Sequence, residues 1–182
     1  MIYESDIEKS LVETGYDNLD LMQKNTLITT LARRYKLVYS EVTEEYILKH
    51  AKKLKITLLD EKCDNAILLG FKASNGHTYR SNRDDQVNMI GQMLELQFSP
   101  EITEVAWKTE DAGYIVHPKD EWVVVFKEAL YHKRYQLFKY DVLRQKIELA
   151  KTHAELVSVS WESEVDIEFP VRPGETVPES VA

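Results

Sequence analysis

The sequence predicts an α+β protein in which two antiparallel β-hairpins are each followed by a helix, with an N-terminal helical segment and an extended C-terminal tail. Apolar residues recur at helical spacing through most of the first 70 residues. The period changes to two in residues 71–80 and again in residues 105–117, and a turn containing glycine interrupts each stretch. Residues 162–182 contain six acids and three of the five prolines, which is typical of an extended segment.

The first part of the chain predicts two helices with recognisable ends. Residues 5–8 have the spacing of a capping box, and Gly15 marks the end of the first, short helix. Asp20 caps the second helix together with Gln23, and this helix extends to about Tyr35. The apolar stripe of the second helix consists of Leu21, Ile28, Leu31, Ala32 and Tyr35.

A third and longer helix is predicted from Thr43 to Gly70, where glycine suits a left-handed C-cap. An interruption near Asp60 is the alternative to a continuous helix. The apolar positions of this segment are Ile47, Ala51, Leu54, Leu58 and Ala66.

The first hairpin turns at the Asn-Gly pair of residues 75–76. A two-residue loop would place Phe71 opposite Arg80, whereas a three-residue loop pairs Phe71 with Tyr79. We favour the second register, because a slip of one residue would turn an apolar face toward water.

The helix after this hairpin begins at a cap formed by Ser81 or Asn82. It carries two apolar stripes, and we therefore expect it to be well buried. One stripe is Val87, Ile90 and Leu94, and the other is Met89, Met93 and Leu96.

The second hairpin has a polar turn at residues 109–113. Pro118 suits the first position of a long helix that ends near residue 150. Thr152 then opens another capping box, and the short helix that follows ends near Trp161.

These elements predict three parts, with an N-terminal helical segment at residues 1–42, an α+β domain at 43–161 and an acidic tail at 162–182. The tail alternates apolar and acidic residues as an added strand would, and we hypothesise that it docks on a neighbouring chain. Its alternating apolar residues are Val165, Ile167, Phe169 and Val171.

Composition narrows the classes of protein that the chain can represent. A hydrophobic share of 43% fits a globular domain, and no stretch approaches the roughly 20 apolar residues of a membrane span. The net charge of −8 disfavours binding to the negatively charged backbone of nucleic acid. The basic residues in 33–36 and 49–55 nevertheless leave a small regulatory DNA-binding protein as a third alternative. Cys63 is the single cysteine, so no intramolecular disulfide forms. The acids near Met1 are unlike a secretory signal, and we expect an intracellular chain.

No catalytic motif is recognisable in the sequence. The chain has no glycine-rich phosphate loop, no pair of histidines four residues apart and no nucleophile elbow. We therefore expect a non-enzyme without a metal or cofactor.

The polar cluster at residues 77–86 is explained either by helix capping or by an interaction surface. Aromatic and arginine side chains favour protein interfaces, so we predict binding residues both in this cluster and elsewhere in the chain. The predicted protein-binding residues are His77, Tyr79, Arg80, Trp107, Tyr114, Val165, Ile167 and Phe169.

Several short runs occur in the order of a known domain. They are GF at 70–71, NGHTYRSN at 75–82, QVNMIG at 86–91, WKT at 107–109, GY at 113–114, THAEL at 152–156 and Trp161. Together, over about residues 45–161, they resemble a domain of unknown function that is widespread in bacteriophage tail-fibre, baseplate and tail-assembly proteins.

This resemblance implies a structural tail component, made late in the host cytoplasm and built into the virion at the baseplate or at the tail-fibre attachment. It implies partners among other tail and baseplate proteins and several copies per assembly, with no nucleic acid and no membrane. The alternative is a tail-fibre assembly chaperone that is absent from the mature virion. No catalytic residues are implied.

Overall fold

The computed structural model describes residues 5–166 and has the mixed α+β class that the sequence predicts. Within these residues, six α-helices accompany two separate two-stranded antiparallel sheets. The helices are α1 (Asp6–Thr14), α2 (Leu21–Tyr35), α3 (Glu44–Leu68), α4 (Arg83–Phe98), α5 (Lys119–Leu149) and α6 (His153–Ser158). The strands are β1 (Phe71–Lys72), β2 (Thr78–Tyr79), β3 (Glu104–Thr109) and β4 (Gly113–Pro118). The predicted tail at Ile167 and beyond lies outside the described residues.

The chain forms two compact units. The first contains the described residues up to Lys62 together with Lys139–Val165, and the second is built on Cys63–Phe138. Helices α3 and α5 contribute residues to both units. The division at residues 42 and 161 that the sequence suggests stays a prediction.

The helix caps in the first unit are those that the sequence predicts. The Ser5 hydroxyl accepts a hydrogen bond from the Glu8 N–H, and Asp20 and Gln23 form a complete capping box on α2. Thr152 caps α6 by accepting from the Glu155 N–H, but α6 ends at Ser158, before Trp161. Short polar side chains fix these ends because each satisfies an N–H group that has no partner within the helix.

The apolar stripe of α2 differs from the predicted one. Leu21 is 76% exposed, and Leu27 is buried beside Leu31 and Ala32. Leu21 is the first residue of α2, so its side chain lies beyond the turns of the helix that pack on the core.

Helix α3 is continuous through Asp60, and in the first unit it buries every fourth residue. These residues are Ile47, Ala51, Lys55 and Leu59. The prediction placed Leu54 and Leu58 there, because a lysine is rarely buried without partners. Lys55 nevertheless lies inside, with Nζ 3.2 Å from the Val157 carbonyl oxygen and 3.4 Å from that of Val12. Burial lowers the pKa of this lysine.

A second buried polar group in the first unit joins three helices. The Glu8 carboxylate is fully buried, and its Oε1 accepts from Arg34 Nη1 at 2.5 Å. The same oxygen lies 2.8 Å from His50 Nε2. A buried carboxylate is strongly disfavoured without such partners, so this group links α1, α2 and α3.

The second unit begins with the predicted three-residue hairpin. Phe71 pairs with Tyr79, which confirms the register that we favoured. Gly70 allows the two strands of this hairpin to approach each other closely. Its φ is +95°, and a Cβ there would lie 2.1 Å from the Tyr79 carbonyl oxygen. Only glycine tolerates both the backbone conformation and the approach of the second strand.

Helix α4 is less buried than we predicted. Its N-cap is Asn82, and Met89 and Leu96 lie in the core. Its other stripe is exposed to solvent, because within residues 5–166 the helix packs on the core through one side only. We call this stripe the α4 apolar stripe, and it consists of Val87, Ile90, Leu94 and Phe98.

The second hairpin pairs Glu104 with Pro118 and Thr109 with Gly113. Pro118 is therefore the last residue of β4, and the prediction that it opens the helix was wrong by one position, since α5 begins at Lys119. The core of the second unit consists of Phe71, Ala73, Tyr79, Met89, Leu96, Val105, Trp122 and Val125.

Candidate protein-binding site

A groove runs along one side of α4 in the second unit. Helix α4 contributes polar side chains at helical spacing, and the second hairpin contributes the opposite wall. We call this cavity of about 310 Å³ the β3/α4 groove, and it is lined by Arg80, Asp85, Asn88, Gln92, Ala106, Trp107, Lys108 and Tyr114.

Three of the predicted binding residues meet in this groove, namely Arg80, Trp107 and Tyr114. They come from separate parts of the sequence and are brought together by the hairpin and the start of α4. The polar residues of α4 were not among the predicted binding residues, although they recur in the sequence at spacings of three and four. Asp85, Asn88 and Gln92 supply the hydrogen-bonding groups of the groove.

The remaining predicted residues lie elsewhere. His77 binds Asp111, and Tyr79 is fully buried in the core. Val165 packs on the core of the first unit. Ile167 and Phe169 lie outside the described residues, so their predicted role stays a prediction.

Arg80 is the main cation of the β3/α4 groove. Its Nε lies 3.4 Å from Asp85 Oδ2 and 3.8 Å from Glu110 Oε1, and both contacts are partly exposed ion pairs. Asp85 Oδ2 is buried and makes no hydrogen bond to any described residue. The Arg80 guanidinium beside this oxygen compensates its charge.

An aromatic layer lies behind the groove. The ring centroids of Trp107 and Trp122 are 4.5 Å apart, and the Trp122 ring also contacts Tyr79 and His117. Such packing fixes the Trp107 side chain, so the groove presents a rigid aromatic surface.

A polar chain holds the two hairpins to α5. Tyr79 Oη lies 3.3 Å from His117 Nε2, and His117 Nδ1 lies 2.8 Å from Glu121 Oε1. Asn75 Nδ2 donates to both Tyr79 Oη and Glu121 Oε1 at 2.8 Å. Burial raises the pKa of Tyr79, against a smaller opposing effect of the Asn75 hydrogen bond. The hydrogen bonds from Asn75 and then from His117 lower the pKa of Glu121.

This chain resembles a proton relay, but its central groups are inaccessible. Tyr79 and His117 are both buried, whereas Glu121 and Asn75 at the ends of the chain are partly exposed. The arrangement therefore ties the two hairpins to α5 and offers no atom of Tyr79 to a substrate.

The turns of the two hairpins are also joined. Asp111 accepts from the Thr78 N–H and binds His77 Nδ1, both at 2.7 Å. The Thr78 N–H and then the His77 side chain lower the pKa of Asp111. These contacts fix the position of Arg80, which follows β2.

A second groove follows the other side of α4. This α4/α5 groove is a cavity of about 470 Å³ with almost wholly apolar walls, lined by Ile90, Met93, Leu94, Leu96, Gln97, Lys119, Val123 and Phe126. It shares Ile90 and Leu94 with the α4 apolar stripe. Sequence reasoning missed it because it assigned both apolar stripes of α4 to the core.

Two further findings concern residues 5–166. No three His, Cys, Asp or Glu side chains in this range are arranged to hold a metal ion. No helix in the same range combines the length and apolar character needed to cross a membrane.

The described residues form an α+β protein whose second unit has two clefts beside helix α4. Residues 50–165 match the model of the family described as Domain of unknown function (DUF4376), and the chain belongs to this family. No curated protein and no solved structure gave a significant match.

Proposed function

We propose that the chain is a structural component of a bacteriophage tail, at the baseplate or tail-fibre attachment, where it links virion subunits through protein–protein contacts without catalysis. The observation that carries the binding role is the surface of α4, which has a groove on each side and an exposed apolar stripe. The phage assignment is supported by the sequence resemblance.

The two grooves have the chemistry of a protein interface. The β3/α4 groove combines Trp107, Tyr114 and Arg80, which are residue types enriched where proteins bind most tightly. The α4/α5 groove and the α4 apolar stripe add apolar area that is costly to leave in water. A partner that covers α4 would bury both kinds of surface at once.

The absence of catalysis is part of the proposal. It is supported by the burial of Tyr79 and His117, which are hydrogen-bonded to each other. The ion pairs of Arg80 likewise suit recognition of a polar protein surface.

The alternative function is a tail-fibre assembly chaperone. The exposed α4 apolar stripe and the net charge of −8 favour it, since a chaperone covers apolar surfaces of an unfinished fibre while staying dissolved. A chaperone leaves its client when assembly is complete, so the two functions differ in where the protein is found.

Quantitative mass spectrometry of purified phage or prophage tail particles distinguishes these functions. A structural component is expected at a fixed copy number per particle. Absence from particles, with abundance in the lysate of producing cells, would reject the structural role in favour of the chaperone.

A further inference from the structure

Strand β4 forms an edge of the second hairpin, and its partner β3 lies next to β2. The Glu110 N–H donates to the Thr78 carbonyl oxygen at 2.9 Å, which places the end of β3 beside the first hairpin. Among the described residues, the backbone of Tyr114 and Val116 makes no hydrogen bond outside the hairpin. These two side chains are 77% and 61% exposed.

The register shows where the backbone groups of β4 point. The Lys119 N–H donates to the Thr103 carbonyl oxygen at 2.8 Å, which continues the ladder of the hairpin by one pair. Hydrogen-bonded and non-hydrogen-bonded pairs alternate in antiparallel sheets, so Tyr114 and Val116 belong to non-hydrogen-bonded pairs. Their N–H and C=O groups therefore point away from β3. Pro118 occupies the next position whose backbone points outward. It has no N–H group, and the pairing with β3 requires no N–H group there.

The exposed edge also lacks the usual protection. Natural edge strands commonly carry charged side chains that prevent pairing with another chain. β4 has the sequence GYIVHP, without a lysine, arginine or acid. Two copies of a chain with a net charge of −8 repel each other over most of their surfaces. The uncharged edge of β4 lets them approach with little repulsion.

We propose that β4 pairs with β4 of a second copy, antiparallel about a two-fold axis at Ile115. Tyr114 of each copy then stands opposite Val116 of the other, and these pairs exchange the N–H and C=O groups that point outward. An aromatic residue opposite a β-branched one is a stabilising cross-strand pair. The strand is complementary to itself in this register, as a symmetric dimer requires.

This dimer does not depend on the proposed function. It predicts a reversible, concentration-dependent dimer of the full chain, because one strand and its exposed side chains form a small contact. Sedimentation velocity over a range of concentrations measures it. A chain that stays monomeric up to about 1 mM, where even a weak contact would form, overturns the proposal.

Substitutions at Val116 test the contact without disturbing the core. Val116→Lys adds a charge to the edge and removes the contact with Tyr114 of the other copy. It is expected to weaken dimerisation at least about tenfold. Val116→Thr keeps a β-branched side chain and is the matched control, with dimerisation close to that of the wild type. Equal dimerisation of all three chains contradicts the proposal.

A cysteine at the two-fold axis tests the register. In this pairing the two copies of Ile115 form a non-hydrogen-bonded pair with Cα atoms about 4.5 Å apart, which suits a disulfide. Ile115→Cys is expected to give a covalent dimer on oxidation. Two controls are expected to stay monomeric in non-reducing gels. They are the wild type, whose Cys63 is buried, and Glu104→Cys on β3. If all chains behave alike, the register is wrong.

The C-terminal tail is the competing occupant of this edge. A chain shortened to residues 1–166, which keeps Val165 on the core of the first unit, is expected to dimerise as the full chain does. Loss of the dimer on shortening would assign the contact to the tail and overturn the pairing of two β4 strands.

Discussion

His117 Nδ1 lies 2.8 Å from Oε1 of Glu121, so the last part of β4 is bound to the first turn of α5 by one buried imidazole. The same carboxylate oxygen accepts from Asn75 in the turn of the first hairpin. One acid therefore connects both hairpins to the first turn of α5.

Glu121→Gln is expected to reduce the acid sensitivity of the fold. The pKa of Glu121 lies below its ordinary value of 4.5 in the folded chain. This depression stabilises the fold above pH 4.5, and the stabilisation is lost as the pH falls through the lowered pKa. The variant should be less stable than the wild type at neutral pH, and the difference should shrink in acid. Thermal unfolding between about pH 3 and pH 7 measures it, and an unchanged difference across that range would contradict the prediction.

His153→Phe is expected to stabilise the fold. His153 is buried against Tyr16, and neither ring nitrogen has a hydrogen-bond partner among the described residues. Replacing it removes the desolvation cost of these atoms, and we expect a gain of about 1 kcal/mol in the free energy of unfolding. Burial lowers the pKa of His153 from its ordinary 6.5, so the gain should increase as the pH falls below 6.5.

His50→Phe is the matched comparison, since His50 is a buried histidine that has a partner. It is expected to destabilise the fold by about 2 kcal/mol or more, because the buried Glu8 carboxylate loses one contact. Chemical denaturation of both variants tests the contrast. Destabilisation of equal size in the two would show that His153 has a role that its contacts do not explain.

Gly70→Ala and Gly76→Ala are expected to differ sharply. Both glycines have a positive φ, but a Cβ at Gly76 would contact nothing within 4 Å, whereas one at Gly70 would collide with the Tyr79 carbonyl oxygen. Gly76→Ala should cost about 1–2 kcal/mol of backbone strain. Gly70→Ala should cost more than about 4 kcal/mol, because the first hairpin must open. Urea unfolding curves measure both, and similar midpoints would contradict this account of the hairpin.

Much of the fold follows from local sequence signals. Ser5, Asp20 and Thr152 cap their helices because the oxygen of a short polar side chain accepts a hydrogen bond from an N–H group of the first turn. The register of the first hairpin follows from the Asn-Gly turn and from the apolar face shared by Phe71 and Tyr79.

Other features depend on contacts between distant residues and leave no local signal. Lys55 is buried because carbonyl oxygens of Val12 and Val157 receive its ammonium group, and neither residue is near it in the sequence. The exposure of the α4 apolar stripe has the same origin. Periodicity shows that a helix has two apolar sides, but it does not show how many neighbours are available to cover them.

The same distinction applies to the candidate site. Arg80, Trp107 and Tyr114 were predictable as binding residues from their types, and their meeting in one groove was not. The polar chain from Asn75 to Glu121 joins the first hairpin, β4 and α5, so no single segment of the sequence indicates it.

The central claim is that α4 binds a neighbouring protein in the assembled tail, and incorporation of two matched variants into particles tests it most directly. Phe98 and Leu149 are both the last residue of a helix and are both 78% exposed, but only Phe98 belongs to the α4 apolar stripe. Each change to lysine should alter stability by less than about 0.5 kcal/mol, since both sites are on the surface. We predict that Phe98→Lys lowers the amount of the chain in purified particles by about tenfold or more, as the loss of an aromatic contact implies, while Leu149→Lys leaves it unchanged. Equal incorporation of the two variants would contradict the account.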